Sequence, residues 1–243
     1  MNGKKQTIKN ALTNVRGAFR TLASYQQSML SVVNYIKNRS GIQNARIFGA
    51  KRFSAPIRTC RKSDSDKDYD ANLNIFSDMW SWDFLYGYMF EYYLGTHKLA
   101  TNDGEKEVSI SIIQVSDDGY ITSQIDNKNR VDLECYKGPE ESNSWLILCV
   151  GYGYGWYYIP QVMTRETYSP TSWTELAYQT ASYVINTPAS TYVNRQGVDG
   201  SECLFTAKKI PMESFFDAVS IDSILAEFGN QLMQESGLEL FKS

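Results

Sequence analysis

Three acids and a lysine in the middle of the chain, Asp126, Asp132, Glu134 and Lys137, are the residue types with which metal-dependent nucleases hold Mg²⁺ and activate a water. On a strand, however, Glu134 and Lys137 are three positions apart and project to opposite faces, whereas that chemistry needs them on one face two positions apart. A nuclease or phosphodiesterase built on these four residues is the leading enzyme alternative, and it would lose all cleavage in EDTA and on Glu134→Ala. A second acidic pattern, Asp64, Asp66, Asp68 and Asp70 followed by Asn72 and Asn74, spaces oxygen donors as a calcium loop does. Its sixth position is Tyr69 where such a loop needs glycine, and its twelfth is Ile75 where it needs a glutamate, so the run reads first as a solvated acidic loop and only weakly as a metal site.

The single histidine, His97, would have to serve as the base of any Ser or Cys hydrolase, and nothing in the sequence pairs it with a nucleophile. Cys60, Cys135, Cys149 and Cys203 lie far apart with no CxxC spacing, which argues against structural zinc and for small core residues kept reduced. No cofactor is expected. Gly151, Gly153 and Gly155 alternate with Tyr152, Tyr154 and Trp156. At strand periodicity the glycines share one face and the aromatics the other. The pattern lacks the helix that must follow a dinucleotide loop. It reads as a glycine face admitting a close-packed helix, with a stacking platform of Tyr152, Tyr154 and Trp156 for bases or sugars as the alternative.

Charge is the most informative feature. Residues 1–62 contain no Asp or Glu and hold 13 of the 24 Lys and Arg; the remainder carries 11 basic against 27 acidic groups, a balance of −16. Within that basic quarter Lys9, Arg16, Arg20, Lys37 and Arg39 project from a helix, and Arg46, Lys51, Arg52, Arg58, Arg61 and Lys62 form an arm. Phosphate backbones bind such surfaces by counterion release without sequence specificity. The alternative is pairing with the acidic remainder of the same fold or of another subunit.

These groups must be positioned by secondary structure. Ile8, Leu12, Val15, Phe19, Leu22, Met29, Val33 and Ile36 follow alternating steps of four and three, with Gln26 filling the one gap. That heptad spacing predicts a helix over roughly 5–38, stopped at Gly41. Leu12, Val15, Phe19, Leu22, Met29 and Val33 are then the residues expected to meet a protein partner or a second copy. The apolar run Met79–Leu94, capped at Ser77 or Asp78 and ended by Gly95, predicts a buried aromatic helix. Strands are expected near Ala45–Phe48, at Val108–Val115, Tyr120–Ile125, Val131–Tyr136, Trp145–Ile159 and Glu202–Ile210, with a turn at Asp117–Gly119. Ser172 and Glu175 form a capping box for a helix Trp173–Asn186, and a last helix runs from Ser214 or Ser220 to about Gln234.

The fold class is therefore α+β: a long N-terminal helix and a buried aromatic helix on a mainly antiparallel sheet of four to five strands, with C-terminal helices. A basic helix and arm, 1–62, and an acidic body, 63–243, are expected to form one integrated domain. With 42% hydrophobic residues the chain can bury a sizeable core, no stretch suits a membrane-spanning helix, and Met1–Asn10 lacks a secretory h-region. A cytoplasmic, non-enzymatic binding or assembly protein is the expectation, engaging nucleic acid or an acidic protein through its basic region; a self-assembling structural protein is the third class.

Overall fold

The computed structural model describes residues 2–42, 50–52, 89–122, 136–153, 173–196, 202–215 and 217–241. Helix α1 (Asn2–Arg39) spans the whole heptad pattern, and Gly41 follows it at φ +78° as the expected stop. Strands β1 (Ala50–Arg52), β2 (Met89–Thr101), β3 (Gly104–Val115), β4 (Trp145–Tyr152), β5 (Thr191–Gln196) and β6 (Glu202–Pro211) make one sheet in the order β1-β2-β3-β4-β6-β5. All five pairings are antiparallel. Helix α2 (Trp173–Asn186) has the expected bounds, with Ser172 of its expected capping box outside the described residues, and α3 (Ala218–Ser236) is capped by Asp217 rather than by Ser214 or Ser220, its Oδ1 accepting from the Ser220 amide at 2.7 Å.

The sheet is covered on both faces. On one, Phe90, Tyr92, Leu94, Ile110, Ile112, Leu148, Val150 and Ile210 pack against Met29, Val33 and Ile36 of α1 and against Ile221, Leu225, Phe228 and Leu232 of α3. On the other, Met89, Ile113, Ile147, Cys149, Phe205 and Ala207 pack against Ala181, Val184 and Ile185 of α2. Three layers result, helices α1 and α3, the sheet, then α2. Strands buried on both faces read as continuous apolar runs rather than as alternation.

That is the reason for the main correction. The C-terminal part of the expected aromatic helix, Met89–Leu94, is strand β2, and residues 79–88 lie outside the described residues. Phe90, Tyr92 and Leu94 face α1 and α3, and the alternate positions hold Met89, the buried Glu91 and Tyr93, so Glu91 alone interrupts an apolar and aromatic run and periodicity cannot separate the strand from a buried helix. Gly95, expected to cap that helix, sits at φ +103° where the β2–β3 register shifts, a bulge position that glycine fills without strain. A second correction concerns the strand expected from Tyr120: Gly119–Thr122 is a single helical turn, closed by the Thr122 amide donating to the Asp118 carbonyl at 2.9 Å. Third, Thr191–Gln196 forms a strand where the sequence pattern predicts none. It is a six-residue edge strand directly after the Pro188 region.

Gly151 is the remaining adjustment. It admits a neighbouring strand rather than a helix, because a Cβ there would stand 2.9 Å from the Leu204 carbonyl oxygen of β6. The expected strands Ala45–Phe48 and Val131–Tyr136, apart from a bend at Tyr136, and the stretch 154–159 lie outside the described residues.

Candidate binding surface

Helix α1 divides into two halves with opposite environments. From Tyr25 onward it is anchored: Met29, Val33 and Ile36 are 6%, 0% and 0% exposed. Before it, the same stripe is open, with Ile8 61%, Leu12 52%, Val15 49%, Phe19 56% and Leu22 40% exposed. An ideal helix drifts only about 20° per heptad from the repeat, so the open and buried residues share one side of the helix. The expected partner-contact set is thereby split. Met29 and Val33 are committed to the chain's own core, and Leu12, Val15, Phe19 and Leu22 are left on the surface.

A buried polar cluster marks the boundary. Gln26, the gap in the heptad, is 6% exposed and donates from Nε2 to the Tyr92 hydroxyl at 2.6 Å and to Gln114 Oε1 at 3.3 Å. Tyr92 donates to Gln114 Oε1 at 2.7 Å, and Gln114 Nε2 returns a bond to Gln26 Oε1 at 3.0 Å. Gln114 Nε2 also donates to Ser116 Oγ at 3.1 Å, which accepts from the Tyr25 hydroxyl at 3.0 Å. Helix α1, β2 and β3 are thus tied at one level by side chains that satisfy each other inside the core, an arrangement that fixes one register of helix on sheet. At its far end α1 is clamped to α3: Arg39 meets Asp222 through Nε at 2.7 Å and Nη2 at 2.6 Å, and the Tyr35 hydroxyl donates to the same carboxylate at 2.9 Å. The Arg39 hydrogen bond foremost, then that of Tyr35, holds the Asp222 carboxyl below the usual carboxylate range.

Cations accompany the open stripe. Lys9, Arg16 and Arg20 are all exposed, and Arg16 donates to Thr13 Oγ1 at 3.0 Å. By helical geometry Lys9 and Arg16, each one residue after a stripe position, flank the stripe, whereas Arg20 points further away. Of the arm, Lys51 and Arg52 lie on the edge strand β1, in register with Glu91 and Phe90; Arg46, Arg58, Arg61 and Lys62 are outside the described residues.

The other candidate residues are placed as follows. Asp126, Asp132 and Glu134 are outside the described residues, and Lys137 stands exposed before β4. Asp64, Asp66, Asp68 and Asp70 are also outside, and among the described residues no three His, Cys, Asp or Glu side chains gather as a metal site. Tyr152 is 5% exposed in the α1–α3 core, with Lys106 Nζ 5.9 Å from its ring centroid, while Tyr154 and Trp156 are outside. His97 Nε2 lies 2.9 Å from the Leu94 carbonyl oxygen. Cys149 and Cys203 are buried free thiols, and desolvation raises both above the ordinary range, Cys149 strongly, with Glu91 adding to it. Such thiols stay protonated at neutral pH, opposite to what a nucleophile requires. Cys60 and Cys135 are outside the described residues.

One polar cluster carried no sequence signal. Asp118, 1% exposed, accepts from the Asn143 amide at 2.8 Å and from Trp145 Nε1 at 2.7 Å. Lys209 lies over the same indole, 5.6 Å from its centroid, and donates to the carbonyls of Ile185, at 2.8 Å, and Thr187. Burial lowers the Lys209 pKa and the nearby Asp118 opposes that shift. With its ammonium bonded to the carbonyls that end α2, Lys209 serves as a helix terminator, where a cation is favoured. Only pairing of strands brings these residues together.

Among the described residues no helix is long and apolar enough to cross a membrane. No curated protein and no solved structure matches the chain. The PM0109 family model matches residues 5–237, and the chain belongs to that family.

Proposed function

We propose that this protein is a non-enzymatic binding and assembly protein whose docking element is the N-terminal half of α1. One observation carries the reading: five large apolar side chains, Ile8, Leu12, Val15, Phe19 and Leu22, stand 40–61% exposed on the face of α1 that, a few turns later, is core. Contiguous apolar surface of this kind, rimmed by polar groups, is characteristic of interaction sites. Amphipathic helices present such i, i+3, i+4, i+7 anchors to apolar grooves or to other helices. The flanking Lys9 and Arg16, and a quarter of the chain without a single acid, suit an acidic protein surface or a phosphate backbone as the partner. We place the protein in the cytosol and treat 1–62 and 63–243 as one integrated unit.

Amide hydrogen exchange over residues 8–22 tests this reading. It would be followed with rising protein concentration, with an acidic amphipathic 21-residue peptide, and with single- and double-stranded DNA across a salt series. Protection gained in at least one of these conditions is expected. In the DNA arm, the loss on adding salt should flatten when Lys51, Arg52, Arg58, Arg61 and Lys62 are all Ala. A helix whose residues 8–22 exchange at the same rate in every condition would overturn the proposal.

A further inference from the structure

We infer that the occupant of the open stripe is the same stripe of a second copy, paired antiparallel; the inference rests on the docking role proposed above. Area is the first argument. Five side chains exposed by 40–61% present on the order of 500 Å² per helix, so two stripes face to face bring together about 1,000 Å², the lower bound for a specific and reversible interface.

Geometry then selects the direction. From Tyr25 onward the stripe side of α1 is filled by the chain's own sheet, through Met29, Val33 and Ile36. A parallel partner would bring its own residues 26–36, and the sheet attached to them, into that same volume. An antiparallel partner runs the other way and keeps its own residues 26–36, with their sheet, out of that volume. Antiparallel layers that pair Ile8 with Phe19 and Leu12 with Val15, each in both senses, keep all four side chains of both copies on the open stretch ahead of Tyr25, where the chain's own packing begins. One heptad further along, the partner's Ile8 would collide with the level of Gln26. The first register is therefore the one that keeps Ile8, Leu12, Val15 and Phe19 together on the open stretch.

The two flanks of this pair differ. On one, Ala11 of each copy lies near Ala18 of the other, small residues that allow close approach of the helices. On the other, Lys9 of each copy lies near Arg16 of the other, and no acid on either helix segment relieves the repulsion. Self-pairing through this surface is consequently opposed by charge and favoured by apolar burial. Raising ionic strength screens the first and leaves the second intact, so the dimer tightens with salt, whereas docking of an acidic helix or DNA would weaken.

Sedimentation equilibrium of the intact chain from 1 to 200 μM, at 50 mM and 500 mM NaCl, reads this directly. A monomer–dimer equilibrium several-fold tighter at 500 mM is expected, lost in Leu12→Asp/Phe19→Asp, whose thermal midpoint matches that of the parent chain at concentrations where both are monomers. Orientation is read by mixing Ile8→Cys with Phe19→Cys protein, both in a Cys60→Ser/Cys135→Ser background, under mild oxidation. The antiparallel pair gives mixed 8–19 disulfides; homogeneous 8–8 disulfides would overturn it. A monomer at 200 μM in 500 mM NaCl also overturns it. If residues 8–22 are then still protected by acidic peptide or DNA, the self-pairing fails and the docking function stands; if nothing protects them, both fail.

Discussion

Gln26 is the residue whose removal most directly tests how α1 is held. In Gln26→Ala three buried hydrogen bonds disappear, at 2.6 Å to Tyr92 and at 3.3 and 3.0 Å with Gln114. At a net 0.5–1.5 kcal/mol each the loss sums to about 3 kcal/mol, near the middle of the range. It is not larger, because the Tyr92 hydroxyl keeps Gln114 Oε1 as acceptor and Gln114 Nε2 keeps Ser116 Oγ. For a chain of this size that corresponds to roughly 6–12 °C in melting temperature. Urea unfolding followed by circular dichroism measures the change, and a double-mutant cycle with Tyr92→Phe isolates the pair, with a coupling of about 1 kcal/mol or more expected. Exchange of amides ahead of Tyr25 should also accelerate in Gln26→Ala, since the helix leaves the sheet at this level. A destabilisation below about 1 kcal/mol together with zero coupling would refute the anchoring argument.

The two halves of α1 should respond oppositely to charge: Met29→Asp, at a buried site, costs about 3–5 kcal/mol in urea unfolding, and Phe19→Asp, on the open stripe, changes stability by less than about 0.5 kcal/mol. Gly151→Ala is expected to lose about 1–3 kcal/mol by the same measurement, because the added methyl meets the Leu204 carbonyl of the paired strand. The Asp222 carboxyl is depressed by Arg39 and Tyr35, so its contribution is present above the carboxylate's unfolded pKa and fades as pH falls through the lower folded value. Asp222→Asn should flatten that part of the acid limb of a stability-against-pH profile. In a Cys60→Ser/Cys135→Ser background, Cys149 and Cys203 should resist a thiol reagent at pH 8 until denaturant is added, and rapid labelling of the folded protein would contradict their burial.

What the linear chain determined on its own is the length of α1, the positions of β3 and β6, of α2 and most of α3, and the charge division, because each rests on neighbours in sequence: helical repeat, strand propensity, caps and counted charges. The stripe from Ile8 to Ile36 was legible as one continuous apolar face. Tertiary structure alone decided that this face is core after Tyr25 and surface before it, since burial depends on where the sheet ends and not on the helix's own pattern. Gln26 shows the same limit from the polar side. In sequence it is a gap in a heptad, and only the approach of β2 and β3 makes it the partner of Tyr92 and Gln114. Met89–Leu94 could not be read as strand because Glu91 alone breaks its apolar and aromatic run, too little alternation to reveal a strand, and the covering of its faces by α1, α3 and α2 is a long-range fact. Asp118, Trp145 and Lys209 meet only through the β3–β4 and β4–β6 pairings, contacts that cost chain entropy to close and leave no trace in local spacing.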